Sequence, residues 1–104
     1  MSSAGRVFQR PLAELDVVEI ALYLADDSEA AARRFLDAVR PTLVRISAFP
    51  GAGDRVLTSN LQLQGCRSWA VSGFDNWRIY YRSMPEGIEV VRVLHVARDL
   101  DALD

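Results

Sequence analysis

A chain of 104 residues, half of them hydrophobic, can bury one core without disulfides, so we expect residues 1–104 to form a single domain. A formal net charge of -2 disfavours the phosphate backbone as a main ligand, and no direct nucleic-acid binding is expected. A single cysteine excludes an internal disulfide and a cysteine-rich metal site. The sequence shows no leader and no long apolar run, so we expect a cytoplasmic protein without a membrane partner or a cofactor.

The first half of the chain predicts a strand followed by two helices. Residues 6–10 resemble a short strand, and Pro11 suits the first turn of a helix that continues to Ala25. Steps of three and four residues place apolar side chains on one face of this helix. They are Ala13, Val17, Ile20 and Leu24.

A second helix is predicted from Glu29 onward, with Ser28 and the two preceding aspartates able to cap it. Its apolar stripe consists of Ala32, Phe35, Val39, Leu43 and Ile46, and Leu36 widens it. Pro41 removes one backbone hydrogen bond and should kink or split the helix. The two helices should form an antiparallel hairpin with one shared apolar side.

The second half of the chain predicts a three-strand antiparallel meander. Its strands are expected at residues 66–72, 77–83 and 87–99, separated by turns at 73–76 and 84–87. The apolar last strand would be an exposed edge unless the first strand lies beside it, so an α+β fold with a four-strand sheet is predicted. Residues 51–65 either hold a short extra element near Val56 and Leu57 or wrap the surface, and residues 98–103 form a helical turn or a tail.

Two polar residues interrupt the apolar last strand. Arg92 and His95 lie among Ile, Val and Leu, and strict alternation puts Arg92 on the same face as Val90 and Leu94. An unpaired buried charge costs several kcal/mol as an order of magnitude, so something must pair or solvate them.

The face of the sheet away from the helices should be half open, because two helices cover only one face. Arginines alternate with aromatic residues along the strands, which is the composition of a protein-binding surface. The candidate binding residues are Arg67, Trp69, Arg78, Tyr80, Arg82, Arg92, His95 and Arg98. Alternatively, the aromatic rings pack on the helices and the arginines extend over the rim into water.

Candidate catalytic groups are few. The chain has no phosphate-binding glycine loop and no Cys/His metal spacing. His95 could act as a general acid or base, with Arg67, Arg92 or Arg98 stabilising a developing phosphate charge, a combination adequate for RNA cleavage. A lone strand histidine is more often a packed, hydrogen-bonded residue.

Five segments in order resemble the RelE/ParE toxin superfamily, on its ParE side. They are residues 13–20 with Tyr23, residues 31–36, residues 50–53, residues 77–82, and residues 91–95 with Arg98 and Asp99. The resemblance spans nearly the whole chain. It implies a small α+β toxin of a type II toxin–antitoxin system, linked to plasmid stabilisation and forming a hetero-oligomer with a ParD-like antitoxin.

The resemblance also implies a target. ParE-like members poison DNA gyrase by binding it, whereas RelE-like members cut messenger RNA on the ribosome. This chain departs from the RelE pattern because it has no lysine, an acidic charge balance and no tyrosine after Arg98. Gyrase inhibition is therefore the leading hypothesis, with a ribosome-dependent ribonuclease centred on His95 as the alternative. A third possibility is a degenerate member that no longer poisons a target.

Overall fold

The computed structural model describes residues 5–103, which form two α-helices and five β-strands. They are β1 Arg6–Gln9, α1 Pro11–Ala25, α2 Glu29–Ala48, β2 Asp54–Arg55, β3 Arg67–Val71, β4 Phe74–Met84 and β5 Gly87–His95. Short 3₁₀ turns follow α2 at Pro50–Ala52 and end the chain at Leu100–Ala102. None of the helices described combines the length and the apolar composition needed to cross a membrane.

The strands form one mixed sheet in the order β1-β5-β4-β3-β2. The prediction that the first strand lies beside the last is confirmed: β1 pairs in parallel with the start of β5. The predicted count of four strands is wrong, because the two-residue β2 pairs antiparallel with β3 at the far edge. The sequence missed β2 because two residues are too short to show a strand period.

The two strand-to-strand turns are tighter than predicted. Val71 pairs directly with Phe74, and Met84 with Gly87, so each turn has two residues and β4 begins three residues earlier than expected. Gly73 in the first turn has φ +83°, a left-handed conformation that glycine adopts without strain. At Gly87 the strands approach closely, and a Cβ atom there would lie 1.9 Å from the carbonyl oxygen of Arg6.

The helical hairpin packs on one face of the sheet and forms the main core there. The predicted α2 stripe is buried at all five positions, and the α1 face is confirmed with Ala13 and Ile20 at its centre. Strand residues complete this core, including Val71, Ile79, Tyr81 and Val93. Leu36 does not widen the stripe as expected, because 47% of its surface is exposed.

Pro41 does not split α2, which runs unbroken from Glu29 to Ala48. The proline lacks an N–H for the carbonyl of Asp37, but both residues lie on the exposed side of the helix, where water can satisfy that carbonyl. In the next residue, the Thr42 hydroxyl donates to the carbonyl of Ala38 at 2.7 Å and accepts from the N–H of Ser72 at 3.1 Å. The bond from Ser72 attaches the helix to the end of β3.

The expectation of a half-open second face is wrong. A second core lies there, formed by Leu63, Cys66, Tyr80, Val91 and Leu94. Val56, Leu100 and Leu103 pack against it, so the segment after β2 and the C-terminal 3₁₀ turn together cover the sheet. Both alternatives for residues 51–65 therefore hold in part, and the C-terminal residues form a helical turn.

A β-bulge in β5 explains why strict alternation fails. Tyr80 pairs with Arg92 while Tyr81 pairs with Val90, which leaves Val91 as an extra residue. The bulge reverses the alternation, so Val90 and Val93 face the helices while Val91 and Leu94 face the second core. Arg92 therefore does not share a face with both Val90 and Leu94 as predicted.

Candidate functional site

Arg92 forms a buried ion pair with Asp16 of α1. Its Nε lies 2.7 Å from Asp16 Oδ2 and its Nη2 lies 2.9 Å from Asp16 Oδ1, in a two-bond contact between planar groups. The side chains are only 12% and 7% exposed. The hydrogen bond that Arg92 donates to Asp16 raises the pKa of Arg92, and this effect outweighs that of burial. Arg92 is thus bound within its own chain.

The same carboxylate closes an open edge of the sheet. β1 ends its pairing with β5 at Val90, and the chain then turns into α1. Beyond that point no strand formed by the described residues 5–103 lies beside β5 on this side, and the N–H of Val93 donates to Asp16 Oδ2 at 2.9 Å. Asp16 therefore supplies the acceptor that a longer β1 would have supplied.

His95 lies where β5 ends, in a group of aromatic rings. Its ring meets Trp77 edge-on with centroids 4.9 Å apart, and Trp77 meets Tyr23 of α1 at 6.0 Å. His95 Nδ1 accepts from the N–H of Ala97 at 3.0 Å, so in the neutral ring the Nε2–H is the free donor.

A cavity of about 250 Å³ opens beside these rings. Asp16, Glu19, Tyr23, Trp77, His95 and the exposed Arg98 are among its lining residues. His95 and Arg98 are thus two predicted residues that the structure brings together at an open surface. Trp69 and Arg78 line another cavity, of about 260 Å³, beside β2.

Arg67 and Arg78 lie at the opposite side of the sheet, beside β2. Arg67 Nη1 donates to the carbonyl of Gly53 at 2.9 Å. Arg78 donates to the hydroxyl and the carbonyl of Ser68 and forms an ion pair with Asp54 at 2.8 Å. The two guanidinium groups hold β2 and the preceding turn against β3.

The other three predicted residues serve the fold. Trp69 is half-buried against the core under the helices. Tyr80 is buried in the second core, which raises the pKa of its phenol. Arg82 donates through Nη2 to the carbonyl of Gln62, and its Nε is buried without a hydrogen-bond partner among residues 5–103. The side chains of Tyr80 and Arg82 thus attach the segment after β2, which covers the second face, to the sheet.

The four residues considered for RNA cleavage do not converge. Arg67 pairs with Tyr81 of β4 and His95 pairs with Trp77, four residues away and about 13 Å along the strand at 3.3 Å per residue. Arg67 also lies two strands from His95, about 10 Å across the sheet. Since Arg92 is bound to Asp16, only His95 and Arg98 remain as neighbours, and no group of three or more His, Cys, Asp or Glu residues within 5–103 could hold a metal.

A separate groove runs beside β1. Within residues 5–103, β1 pairs on one side only, with β5, so its other edge is open to a partner of this part of the chain. Next to it lies a cavity of about 570 Å³ between β1 and the two helices, lined by both apolar and charged side chains. The lining includes Val7, Val17, Leu36, Val39, Leu43 and Val44, with Arg6, Glu14 and Arg40 among the polar residues.

The sequence reasoning missed three contributors to these surfaces. Asp16 was not singled out from the sequence, although it lies three residues after Ala13 and four before Ile20 on the core face. That position was a usable sign of a buried partner for Arg92. Glu19 and Trp77, which line the cavity beside His95, carried no comparable signal, because helix α1 and strand β4 meet there only in the folded chain.

Comparison with known proteins adds two findings. The family model described as "ParE toxin of type II toxin-antitoxin system, parDE" matches residues 7–100. A solved structure titled "Chromosomal ParDE TA system from P. aeruginosa" matches with a TM-score of 0.69 at 16% sequence identity, over 89% of this chain and 97% of that one. No curated protein matches in sequence. At that identity the structural likeness concerns the fold alone.

Proposed function

Because the chain belongs to the ParE toxin family of type II toxin–antitoxin systems, we propose that it inhibits DNA gyrase by binding it. We further propose that a cognate ParD-like antitoxin neutralises it, that the pair acts in the cytoplasm, and that it contributes to plasmid stabilisation. The inhibitor acts as a binding protein and the complex is a hetero-oligomer.

One observation carries this proposal: the open surfaces suit protein contact better than catalysis. Of the arginines considered as partners of His95, Arg92 is bound to Asp16 and Arg67 lies at the other side of the sheet. In contrast, the strand edge of β1 that is unpaired within residues 5–103 lies beside a groove of about 570 Å³ with several apolar side chains in its lining. Partner segments commonly bind such pairs of features, because the edge provides backbone hydrogen bonds and the groove takes apolar side chains.

The antitoxin is assigned to this groove. An extended segment can pair with β1 while apolar side chains reach Leu36 and Val44, which are 47% and 43% exposed. Of the residues predicted to bind partners, His95 and Arg98 stay proposed as contacts for the target, since both line an open cavity. Carboxylates on a partner could also reach the outward atoms of Arg67 and Arg78.

A gyrase supercoiling assay tests the target. We expect the purified chain to inhibit supercoiling or to trap cleaved DNA, and His95→Gln to keep most of that effect because the imidazole is not used as an acid or base. Leu57→Ser is the matched control, since Leu57 is 95% exposed and lies outside both surfaces. The ribonuclease alternative would be established by three results together. The chain would not inhibit gyrase at micromolar concentrations, it would cleave RNA in a translating extract, and His95→Gln would abolish that cleavage.

Co-expression tests the antitoxin site. Val44→Glu places a charge in the groove without touching the core, so it should weaken antitoxin binding by roughly tenfold or more while leaving gyrase inhibition intact. The protein should then escape neutralisation and arrest growth when both genes are induced. Unchanged neutralisation by Val44→Glu and by Leu36→Glu would show that the antitoxin binds elsewhere.

A further inference from the structure

Helix α1 has a second apolar face that the fold does not use. Leu15, Val18 and Leu22 are 50%, 53% and 65% exposed. They lie on the side of the helix opposite Ala13 and Ile20, which are buried at 0% and 5%. A helix that needs only one apolar face for its own core normally carries polar residues on the other.

The spacing of this second face matches that of paired helices. Starting at Pro11, its residues recur at steps of four, three, four and three: Pro11, Leu15, Val18, Leu22 and Ala25. Alternating steps of three and four keep a narrow apolar line facing one partner helix along its whole length. We call these five residues the outer seam.

The residues beside the outer seam are acidic. Glu14 and Glu19 are exposed and flank Leu15 on its two sides, and the described helix Pro11–Ala25 contains no basic residue. Arg40 shares a groove with Glu14, and Arg98 shares a cavity with Glu19, yet none of the ion pairs within residues 5–103 involves either glutamate. Both carboxylates are therefore available to a partner.

These charges decide between possible occupants. A second copy of the chain, packed seam to seam, would bring the acidic flanks of both copies together, and like charges beside an apolar seam disfavour pairing. A helix with arginine or lysine at the flanking positions would gain attraction at the same places.

We propose that the outer seam docks one helix of a partner protein other than a second copy, with apolar residues at alternating three- and four-residue spacing and basic residues beside them. This inference goes beyond the proposed function. The outer seam lies on the solvent side of α1, whereas the groove assigned to the antitoxin lies between β1 and the two helices.

Two synthetic helical peptides test the chemistry of the outer seam on the intact chain. They share one leucine seam and differ only in carrying arginine or glutamate at the flanks, and binding is measured by fluorescence anisotropy. We expect the arginine peptide to bind about tenfold more tightly at low salt, as two attractive pairs replace two repulsive ones, and the difference to shrink as salt is added.

Variants locate the binding. Val18→Glu should abolish binding of the arginine peptide, while Leu57→Ser should leave it unchanged; circular dichroism checks that both remain folded. Replacing Glu14 and Glu19 together by arginine should reverse the peptide preference. Equal binding of both peptides, binding retained in Val18→Glu, or self-association through the outer seam in light scattering would each overturn the proposal. The gyrase assay involves no peptide, so failure of either proposal is recognised separately.

Discussion

Removing the Asp16 carboxylate should be the most damaging single change to the fold. In Asp16→Ala, Arg92 keeps its charge in a site where its side chain is 12% exposed, and the N–H of Val93 loses its acceptor. Breaking a buried ion pair by deleting one partner costs about 3–5 kcal/mol. Since domains of this size are stable by about 5–15 kcal/mol, the loss is about a fifth of the total or more.

The measurement is urea and thermal unfolding followed by circular dichroism, in a double-mutant cycle. Asp16→Ala should lower the midpoint temperature by about 12–40 °C, at 4–8 °C per kcal/mol. Asp16→Asn should be milder, because the amide oxygen can still accept from Val93. Replacing Asp16 by leucine and Arg92 by methionine together should cost at least about 2 kcal/mol less than the sum of the single changes, as no unpaired charge remains.

Two results would refute this reasoning. If Asp16→Ala costs less than about 1 kcal/mol, water reaches the Arg92 guanidinium and the pair is not effectively buried. If the two single changes add without coupling, the residues stabilise the fold through separate contacts. Glu19→Ala is the matched control: it removes an exposed acid one turn further along the same helix, and it should change stability by less than about 0.5 kcal/mol.

Three further predictions concern the second half of the chain. Gly53→Ala should lower the free energy of unfolding, measured in urea, by about 1–3 kcal/mol, because a Cβ atom would lie 2.3 Å from the hydroxyl of Tyr81. An unchanged free energy of unfolding would mean that this contact relaxes freely. Burial raises the pKa of Tyr80 and Tyr81, so their protonated forms stabilise the fold below their usual pKa near 10 and this contribution is lost as pH rises through the raised values. Absorbance titration should show Tyr80 and Tyr81 ionising only as the chain unfolds. Ionisation of both phenols while the chain is still folded would contradict this. The hydrogen bond that Thr58 donates lowers the pKa of Asp101, so this contact is complete above the usual carboxyl pKa and weakens as pH falls through the lowered value. Asp101→Asn should therefore increase amide hydrogen exchange in residues 58–66. Unchanged exchange would show that the segment covering the second face of the sheet does not depend on Asp101.

The sequence predicted the parts of the fold that local patterns determine. The α1 and α2 boundaries follow from proline, serine and the three- and four-residue steps, and the position of β1 followed from the need to cover the edge of β5. The covering of the second face could not be predicted in the same way. Leu63 lies in a turn-rich segment without a strand or helix period, and only contact with β4 and β5 makes it fully buried.

The candidate site, like the fold, could be predicted from the sequence only in part. That Arg92 needed a partner was evident from its apolar neighbours, but the partner lies 76 residues earlier in the chain. The eight predicted binding residues share composition, not position, because the order of the strands and the bulge at Val91 distribute them over both faces and both sides of the sheet. His95 and Arg98 meet at one open cavity, and Trp69 and Arg78 meet at another beside β2.

Helix α1 carries more apolar residues than its own packing requires. The core explains Ala13, Ile20 and their neighbours, and Asp16 explains the closed edge of β5, so these contacts account for one side of the helix. They leave Leu15, Val18 and Leu22 without a role in the fold, although a row of exposed apolar side chains reduces solubility. Because this row has no use inside the chain and a cost in water, a contact with another molecule explains it best.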